Sequence, residues 1–358
     1  MEEIEKEIVI EEFPKLPDEI IKAINDKKFA VFIGAGISRL IGCVSWQELA
    51  KRLIHKCSTE KDTNGKPLLN YREKELLLQV GDNKKLITIA SSLLKEEKFY
   101  KAMEEELIFE DEEIKEKNIY SDIIELKGVC ITTNADNALN RYFENGKNIK
   151  CMDKDFDADD INPLYLYQIH GRVEKRSSLI FTVDQYIKKY SNSSENKNFI
   201  RFLQTLFSEY TILFLGYGIS EFELLDYVIT KTSSKNRHYL LNGYFKDEKI
   251  LLNYDKVYYD RLGINIIPYS KDEHGYEQQE EIIKKWKEEV YIRRNITDKE
   301  FKEMEIFFDK QYSKNIELLD KKFKSLDYRN KFLKKILRKE EIPIDISNYI
   351  LNNNILES

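Results

Sequence analysis

The segment Phe29–Ser38, with the sequence FAVFIGAGIS, constrains the fold of this chain more than any other stretch. Its apolar run, bounded by lysines before and glycine after, is typical of a central strand buried on both faces. A Gly-Ala-Gly turn follows directly, and Ser38 lies where a helix would begin. The pattern predicts a strand, a tight turn and a helix, and the turn either binds a phosphate or needs glycine only for its tightness.

Short apolar segments recur along the chain and alternate with segments of helical spacing. Strands are predicted at 129–132, 167–169, 179–181, 212–215, 239–241 and 264–267, and helices at 45–56, 198–208 and 221–230. This alternation predicts an α/β fold with a doubly wound, mostly parallel, Rossmann-like sheet. Ligands of such sheets bind at the carboxyl ends of the strands.

Two regions depart from this alternation. Residues 57–127 are rich in Lys and Glu with helical periodicity, which predicts a helical insertion within a domain spanning 1–290. Residues 291–358 are predicted to form a helical C-terminal extension. An apolar stripe in the extension either packs on its own domain or contacts a partner. The stripe consists of Phe308, Tyr312, Ile316, Leu319, Phe323 and Leu326.

Composition narrows the class of protein. A hydrophobic fraction of 42% is enough for a core, and the net charge of −6 argues against a broad nucleic-acid-binding face. Four scattered cysteines lack zinc-site spacing and indicate reduced thiols. The acidic start has no signal-peptide pattern, and no apolar run approaches the ~20 residues of a membrane helix. We expect a cytoplasmic protein without membrane contact.

Polar residues follow several predicted strands. Asn134 and Asp136, in the sequence TTNAD, can both face one crevice, or they can cap a helix at 137–143. His170 follows a strand and precedes Gly171, where it is either a base that works near neutral pH or a structural histidine. The turn Gly216–Gly218 repeats the pattern of a strand followed by glycine.

Together these segments resemble the SIR2-like family, in particular its branch in bacterial antiphage defence. The resemblance covers roughly residues 25–270. It is carried by GAGIS (34–38), Ser45, Trp46 and Leu49, TTNAD (132–136), HG (170–171), LIFTVDQY (179–186) and FLGYGIS (214–220), which occur in the family's order.

The resemblance implies an NAD+ hydrolase with NAD as its substrate. By position, Asn134 and His170 match the family's catalytic residues, and Asp136 matches the acid that contacts the nicotinamide carboxamide. The implied NAD-binding residues are Gly34, Ala35, Gly36 and Ser38 at the pyrophosphate, and Gly216, Tyr217 and Gly218 at the adenosine. The implied products are nicotinamide and ADP-ribose.

The chain also departs from the family pattern. Sirtuin deacylases carry a four-cysteine zinc module after the HG motif, whereas this chain has no cysteine after Cys151, so no zinc is expected. Ala135 stands where the defence branch usually has Tyr, and Arg39 where a dinucleotide fingerprint has Gly. An NAD-dependent deacylase and a non-catalytic nucleotide-binding module are the alternatives. The expected partners are further copies of the chain, a separate protein such as an ATPase, or both.

Overall fold

The structure is a computed structural model that describes residues 9–109, 118–143, 148–191, 193–218 and 238–294. Within these residues lies a parallel sheet of seven strands in the order β3-β4-β2-β1-β5-β6-β7. The strands are β1 (Phe29–Ile33), β2 (Val129–Thr132), β3 (Ile149–Lys150), β4 (Leu166–Gln168), β5 (Thr211–Leu215), β6 (His238–Tyr244) and β7 (Ile264–Ser270).

Helices alternate with the strands along the chain, and together with the parallel sheet this confirms the predicted Rossmann-like α/β class. They are α1 (Asp18–Asn25), α2 (Ala35–Leu40), α3 (Trp46–Thr59), α4 (Tyr71–Leu78), α5 (Asn83–Leu107), α6 (Ile119–Glu125), α7 (Val183–Tyr190), α8 (Lys197–Glu209), α9 (Lys249–Asp260) and α10 (Gln278–Arg293). Helices α4, α5 and α6 occupy the segment that the sequence predicts as a helical insertion.

Strand β1 lies at the centre of the sheet, and all five of its residues are buried. The chain first adds β2, β3 and β4 on one side of β1 and then returns to its other side with β5, β6 and β7. Ile33 pairs with Thr132 of β2 and with Leu215 of β5. The turns after these three strands therefore lie side by side at the point where the strand order reverses, which is the usual ligand position in this fold.

The core on one side of the sheet is made by α8, whose apolar residues recur every three or four positions. Phe199, Phe202, Leu203 and Leu206 are buried against the strands. A second cluster joins α3 and α5 to residues close to the predicted site, Ala135 and Phe181 among them. The helical insertion is thus packed against the segment that carries Asn134.

Helix α5 is interrupted at Lys95, where φ is 62° and ψ is 168°. This is a region of backbone space that is essentially reserved for glycine. The two halves of α5 therefore join at a strained residue, although both halves contribute buried side chains, such as Leu94 and Phe99, to the core.

Several local predictions are wrong or lie outside the described residues. Residues 179–181 are not a strand, the two-residue edge strand β3 is not predicted, and 137–143 form only a 3-10 turn at Asn140–Tyr142 in place of a helix. The helix predicted at 221–230 and the stripe from Phe308 to Leu326 lie outside the described residues. So does the extension 291–358 beyond residue 294, and the domain boundary near 290 stays a prediction.

The chain divides into two compact units, residues 1–15 with 26–284, and residues 16–25 with 285–358. The sheet and all the candidate site residues belong to the first unit. Helix α1 belongs to the second, together with the last part of α10, where Trp286 and Val290 are buried. In the part of the chain that the structure describes, no helix is both long enough and apolar enough to cross a membrane.

Candidate functional site

The glycines after β1 and β5 bring two turns into direct backbone contact. The Gly34 N–H donates to the Leu215 carbonyl and the Gly36 N–H donates to the Gly216 carbonyl, both at 2.8 Å. A Cβ on Gly34 would lie 2.4 Å from that Gly216 oxygen, and Gly216 itself has a φ of +58°. Glycine is therefore required here for the close approach of one turn to the other.

The contact also uses the N–H groups of the Gly-Ala-Gly turn. Those of Gly34 and Gly36 both have carbonyl partners in this structure. Ala35 and Ser38, from the same turn and helix, instead line a cavity.

The cavity, of about 30 Å³, lies beyond the carboxyl ends of β1 and β2. One wall is apolar, and in it Trp46 and Phe181 have ring centroids 5.2 Å apart. The other wall carries the polar residues that follow β2. The lining consists of Ala35, Ser38, Val44, Trp46, Leu49, Leu107, Thr133, Asn134, Ala135, Asp136 and Phe181. The site thus combines an aromatic side with a hydrogen-bonding side.

Ser38 is the centre of a buried hydrogen-bond network. Its hydroxyl donates to Asp136 Oδ2 at 3.3 Å and accepts from Asn134 Nδ2 at 2.7 Å. The Tyr120 hydroxyl lies 2.7 Å from the same oxygen. Because the single Ser38 proton goes to the carboxylate, Tyr120 is the donor in that third bond. The network fixes the side-chain amide of Asn134 and the carboxylate of Asp136 relative to each other.

The carbonyl oxygen of the Asn134 side chain, Oδ1, is buried without a hydrogen-bond partner. The backbone around it is held firmly, because the Asn134 N–H donates to Thr132 Oγ1 at 2.9 Å, and Thr132 in turn donates to the Ile33 carbonyl at 2.7 Å. Buried polar atoms nearly always have a partner. Asn134 Oδ1 therefore offers an acceptor to whatever donor enters the cavity.

Burial raises the pKa of Asp136 to about 6. The Ala138 N–H, which donates to Asp136 Oδ1 at 3.2 Å, and the Ser38 hydroxyl oppose this rise because they favour the charged form. Of the two sequence interpretations of Asp136, the helix cap does not apply, since no α-helix follows. Its carboxylate instead belongs to the wall of the cavity.

His170 follows β4 as Asn134 follows β2. Thr132 pairs with Gln168 across these parallel strands, and each candidate residue stands two positions further on. Gln168 links the two segments, because its Nε2 donates to the backbone carbonyls of Asn134 and Asp136 at 3.3 and 3.1 Å. His170 is 1% exposed and does not line the cavity.

The turn after β5 also stays outside the cavity. The ring centroids of Tyr217 and Phe32 are 4.8 Å apart, and Gly218 is exposed, with open space where a Cβ would lie. Of the predicted site residues, the cavity therefore brings together Ala35, Ser38, Asn134 and Asp136. The contact between the two turns is formed by Gly34, Gly36 and Gly216. The lining of the cavity does not include His170, Tyr217 or Gly218.

Two residues of the helical insertion contribute to the site although no sequence pattern marks them. Tyr120, on α6, supplies the third bond to Ser38, and Leu107, at the end of α5, lines the cavity. Neither residue stands next to a glycine turn or a strand end, so no local pattern marks it. Contact with the site arises only when the insertion packs against β2.

No metal site is found among the described residues, where no group of three or more His, Cys, Asp or Glu side chains lies close enough to hold an ion. The four cysteines are buried free thiols. Burial raises the pKa of the Cys130 thiol to about 12 and that of Cys57 to about 11, so both are protonated near neutral pH.

The parallel sheet, with a partly polar cavity beyond the carboxyl ends of its central strands, places the chain in the Rossmann-like class of α/β proteins. Within that class, residues 128–251 match the family model of the SIR2-like domain. TTNAD, the HG pair and the turn after β5 all fall inside the matched range.

Two curated proteins are similar over most of the chain. NAD(+) hydrolase ThsA of Acinetobacter baumannii is 25% identical over 240 residues, which cover 63% of this chain and 44% of that protein. Defense-associated sirtuin 2 of Bacillus subtilis is 25% identical over 263 residues, which cover 70% of this chain and 24% of that protein. The chain thus spans less than half the length of either relative.

Proposed function

We propose that the chain is an NAD+ glycohydrolase that cleaves the nicotinamide–ribose bond, releases nicotinamide and ADP-ribose, and depletes NAD in antiphage defence. The observation that carries the proposal is the Ser38-centred network, in which Asn134 lines the cavity and its buried Oδ1 has no hydrogen-bond partner. The names of the two relatives, an NAD(+) hydrolase and a defence-associated sirtuin, support the choice of substrate and setting.

The two walls of the cavity suit a nicotinamide group. Trp46 and Phe181 offer ring faces to an aromatic cation, and the Asp136 carboxylate offers an acceptor to its carboxamide N–H. A cavity of about 30 Å³ holds about one water molecule, so side chains of the wall must move apart when the larger ring enters.

The reaction needs little nucleophilic assistance from the protein. The C1′–N1 bond breaks with both electrons going to the positively charged pyridinium, which leaves as neutral nicotinamide. Water then adds to the oxocarbenium-like C1′ and loses a proton. Asn134 Oδ1 would accept a hydrogen bond from this water or from a ribose hydroxyl, and His170 would take up the proton.

The remainder of NAD would extend along the turns after β1 and β5. Ala35 and Ser38 line the cavity and would be nearest to the pyrophosphate. Gly34, Gly36 and Gly216 would keep the two turns close, and Tyr217 and Gly218 would contact the adenosine. In this proposal NAD is the substrate, and neither zinc nor a membrane takes part.

The test is the release of nicotinamide from NAD, or of a fluorescent product from etheno-NAD, by the purified full chain. Removing a catalytic acid–base group typically costs about 10²- to 10⁴-fold in rate. We expect losses in this range for Asn134→Ala and His170→Ala. His55→Ala and Asn64→Ala, at exposed positions, are the matched controls and should retain full activity.

The outcomes separate the activity from the site. Absence of turnover in the wild-type chain, at all protein concentrations and with candidate partners added, would contradict the proposal. Turnover that persists in both alanine variants would refute the site while leaving the activity intact. Nicotinamide release that is stoichiometric with deacylation of a lysine peptide would favour a deacylase instead.

A further inference from the structure

His170 is enclosed by two tyrosines of α7. Its Nε2 lies 2.7 Å from the Tyr190 hydroxyl, and its Nδ1 lies 3.3 Å from the Tyr186 hydroxyl. The imidazole packs edge-on against both rings, with centroids 4.9 Å away for Tyr186 and 5.9 Å away for Tyr190. Both ring nitrogens are therefore hydrogen-bonded to phenols, and neither lines the cavity.

The two tyrosines stand one helical turn apart, which explains how they hold one ring between them. Their own rings are almost parallel, with an interplanar angle of 11° and centroids 6.4 Å apart. Tyr186 is buried at 1% exposure, whereas Tyr190 is only half-buried. Of the two tyrosines in contact with His170, Tyr190 is thus the more exposed.

The charges around the ring favour a neutral His170. Lys84 Nζ, from α5, lies 3.8 Å above the Tyr186 ring. Lys189 Nζ, from α7, is buried 4.1 Å from the centre of the Phe199 ring. Burial first, and then these two cations, hold the pKa of His170 well below its usual range. A neutral imidazole has one nitrogen that donates and one that accepts.

Two arrangements of protons satisfy both contacts of the imidazole, and the two distances favour the one with the proton on Nδ1. With the proton on Nδ1, His170 donates to the Tyr186 hydroxyl and its Nε2 accepts from the Tyr190 hydroxyl. The shorter of the two distances, 2.7 Å, is the one in which a phenol donates to an unprotonated nitrogen. Tyr190 thus stands between the proton acceptor of His170 and the exterior.

We propose that Tyr190 relays the reaction's proton to His170, and that Tyr186 fixes the imidazole for this transfer. The proton of the attacking water or of a ribose hydroxyl passes to Tyr190 Oη, while the phenolic proton of Tyr190 passes to His170 Nε2. Tyr190 ends with the proton count it began with, and His170 becomes the imidazolium. The relay rests on the proposed glycohydrolase activity, because that reaction supplies the proton.

The test compares Tyr190→Phe with Tyr186→Phe, which removes a hydroxyl from the same ring pair but not the proposed path. Loss of an acid–base group costs about 10²-fold or more, so we expect kcat of Tyr190→Phe to fall by at least that factor with KM changed less than about threefold. Tyr186→Phe should reduce kcat by less than about tenfold, since it removes only a positioning contact. Tyr71→Phe, at an exposed position, controls for the substitution itself.

A second readout does not require turnover. In protein labelled with ¹⁵N-histidine, Nε2 of His170 should carry the signal of an unprotonated, hydrogen-bonded nitrogen. That signal should shift in Tyr190→Phe far more than in Tyr186→Phe. The pH dependence of kcat should also change in Tyr190→Phe, with Lys84, Lys189 and Tyr186 left in place around the ring.

The outcomes distinguish failure of the relay from failure of the activity. A wild-type chain that turns over NAD while Tyr190→Phe keeps kcat within threefold would overturn the relay alone. A His170 Nε2 signal that is protonated, or that is unchanged by Tyr190→Phe, would also overturn it. A wild-type chain without nicotinamide release overturns the proposed activity, and the relay with it.

Discussion

Ser38 shows how one side chain organises the candidate site at the scale of single residues. Its hydroxyl satisfies the Asp136 carboxylate with its only proton and receives hydrogen bonds from Asn134 and Tyr120. The geometry of all three partners therefore depends on one oxygen atom. The three hydrogen bonds hold the side chains of Asn134, Asp136 and Tyr120 in one arrangement, in which Asn134 Oδ1 alone stays without a partner.

Asp136 should make stability depend on pH. Its pKa is about 6 in the folded chain and about 3.9 in an unfolded chain, so the folded state retains a proton that the unfolded state releases between these values. Unfolding then releases protons, and stability falls as pH rises from about 4 to about 6. Over this pH range the free energy of unfolding should fall by about 3 kcal/mol in total.

Asp136→Asn removes this titration while preserving the side-chain shape. Urea unfolding between pH 4 and pH 7 should therefore show that the wild type loses stability relative to Asp136→Asn as pH rises, and that the difference levels off above pH 6. Asp247→Asn, at an exposed turn, controls for removal of a carboxyl charge. If the free energies of unfolding of the wild type and Asp136→Asn differ by the same amount at every pH, burial does not shift the pKa of this carboxyl.

Helix α5 offers a test at the scale of elements, because Lys95 interrupts it with glycine-like backbone angles. Relief of such strain is worth about 1–3 kcal/mol, and the greater chain entropy of glycine offsets about 1 kcal/mol of it. We expect Lys95→Gly to stabilise the chain by about 1 kcal/mol in denaturant unfolding. The exposed Lys95 side chain has little packing to lose.

The same substitution in a regular part of α5 is the matched control. Lys101→Gly, exposed and helical, should destabilise the chain by about 1 kcal/mol, since glycine is a poor helix former. Opposite signs for the two variants would establish that the break at Lys95 is strained. Destabilisation by both would show that it is not.

Elements with a strong local pattern were predictable from the sequence. The apolar runs of β1, β2 and β5 are buried on both faces, and the glycine turns after β1 and β5 lie at the expected strand ends. Residues 179–181 look like a strand, but Leu179 and Phe181 pack as single side chains against the helical insertion. Tyr120 enters the site through packing between distant segments, for which no local signal exists.

The glycines illustrate a second limit of local patterns. The Gly-Ala-Gly turn predicts close approach of the backbone to something, and the structure shows that this partner is Gly216. The glycine motif predicts that the backbone approaches another group closely. The order of strands in the sheet then determines that this group is the turn after β5. The roles of Asn134 and His170 in catalysis stay predictions in the same way, since position alone does not reveal chemistry.

The expected association of the chain is a property of the whole molecule. On α9, the side chains of Ile250, Tyr254, Val257 and Tyr258 are more than half exposed, at 72, 71, 61 and 51%. Contiguous apolar patches of this kind commonly mark interaction sites. Helix α9 carries two lysines and two aspartates, so a second copy of the same helix meets no net charge. We therefore expect α9 to pair with α9 of another copy.

Light scattering combined with turnover tests this expectation. Tyr254→Glu should lower the molar mass of the assembly and the activity per chain, because a charge would be buried at the contact. Tyr71→Glu, at an exposed tyrosine of α4, is the matched control and should change neither. A monomeric wild-type chain with full activity and no dependence on a partner would show that association does not control this protein.

The contact between Gly34 and Gly216 joins positions that are about 180 residues apart, and it has a consequence for the order of folding. During synthesis the chain emerges from its N-terminus, so Asn134 and Ser38 are available long before β5 exists. The turn after β1 acquires its supporting neighbour only when β5 inserts beside β1. A growing chain on the ribosome thus holds an incomplete pocket, and the candidate site becomes whole only after more than half of the protein has been made.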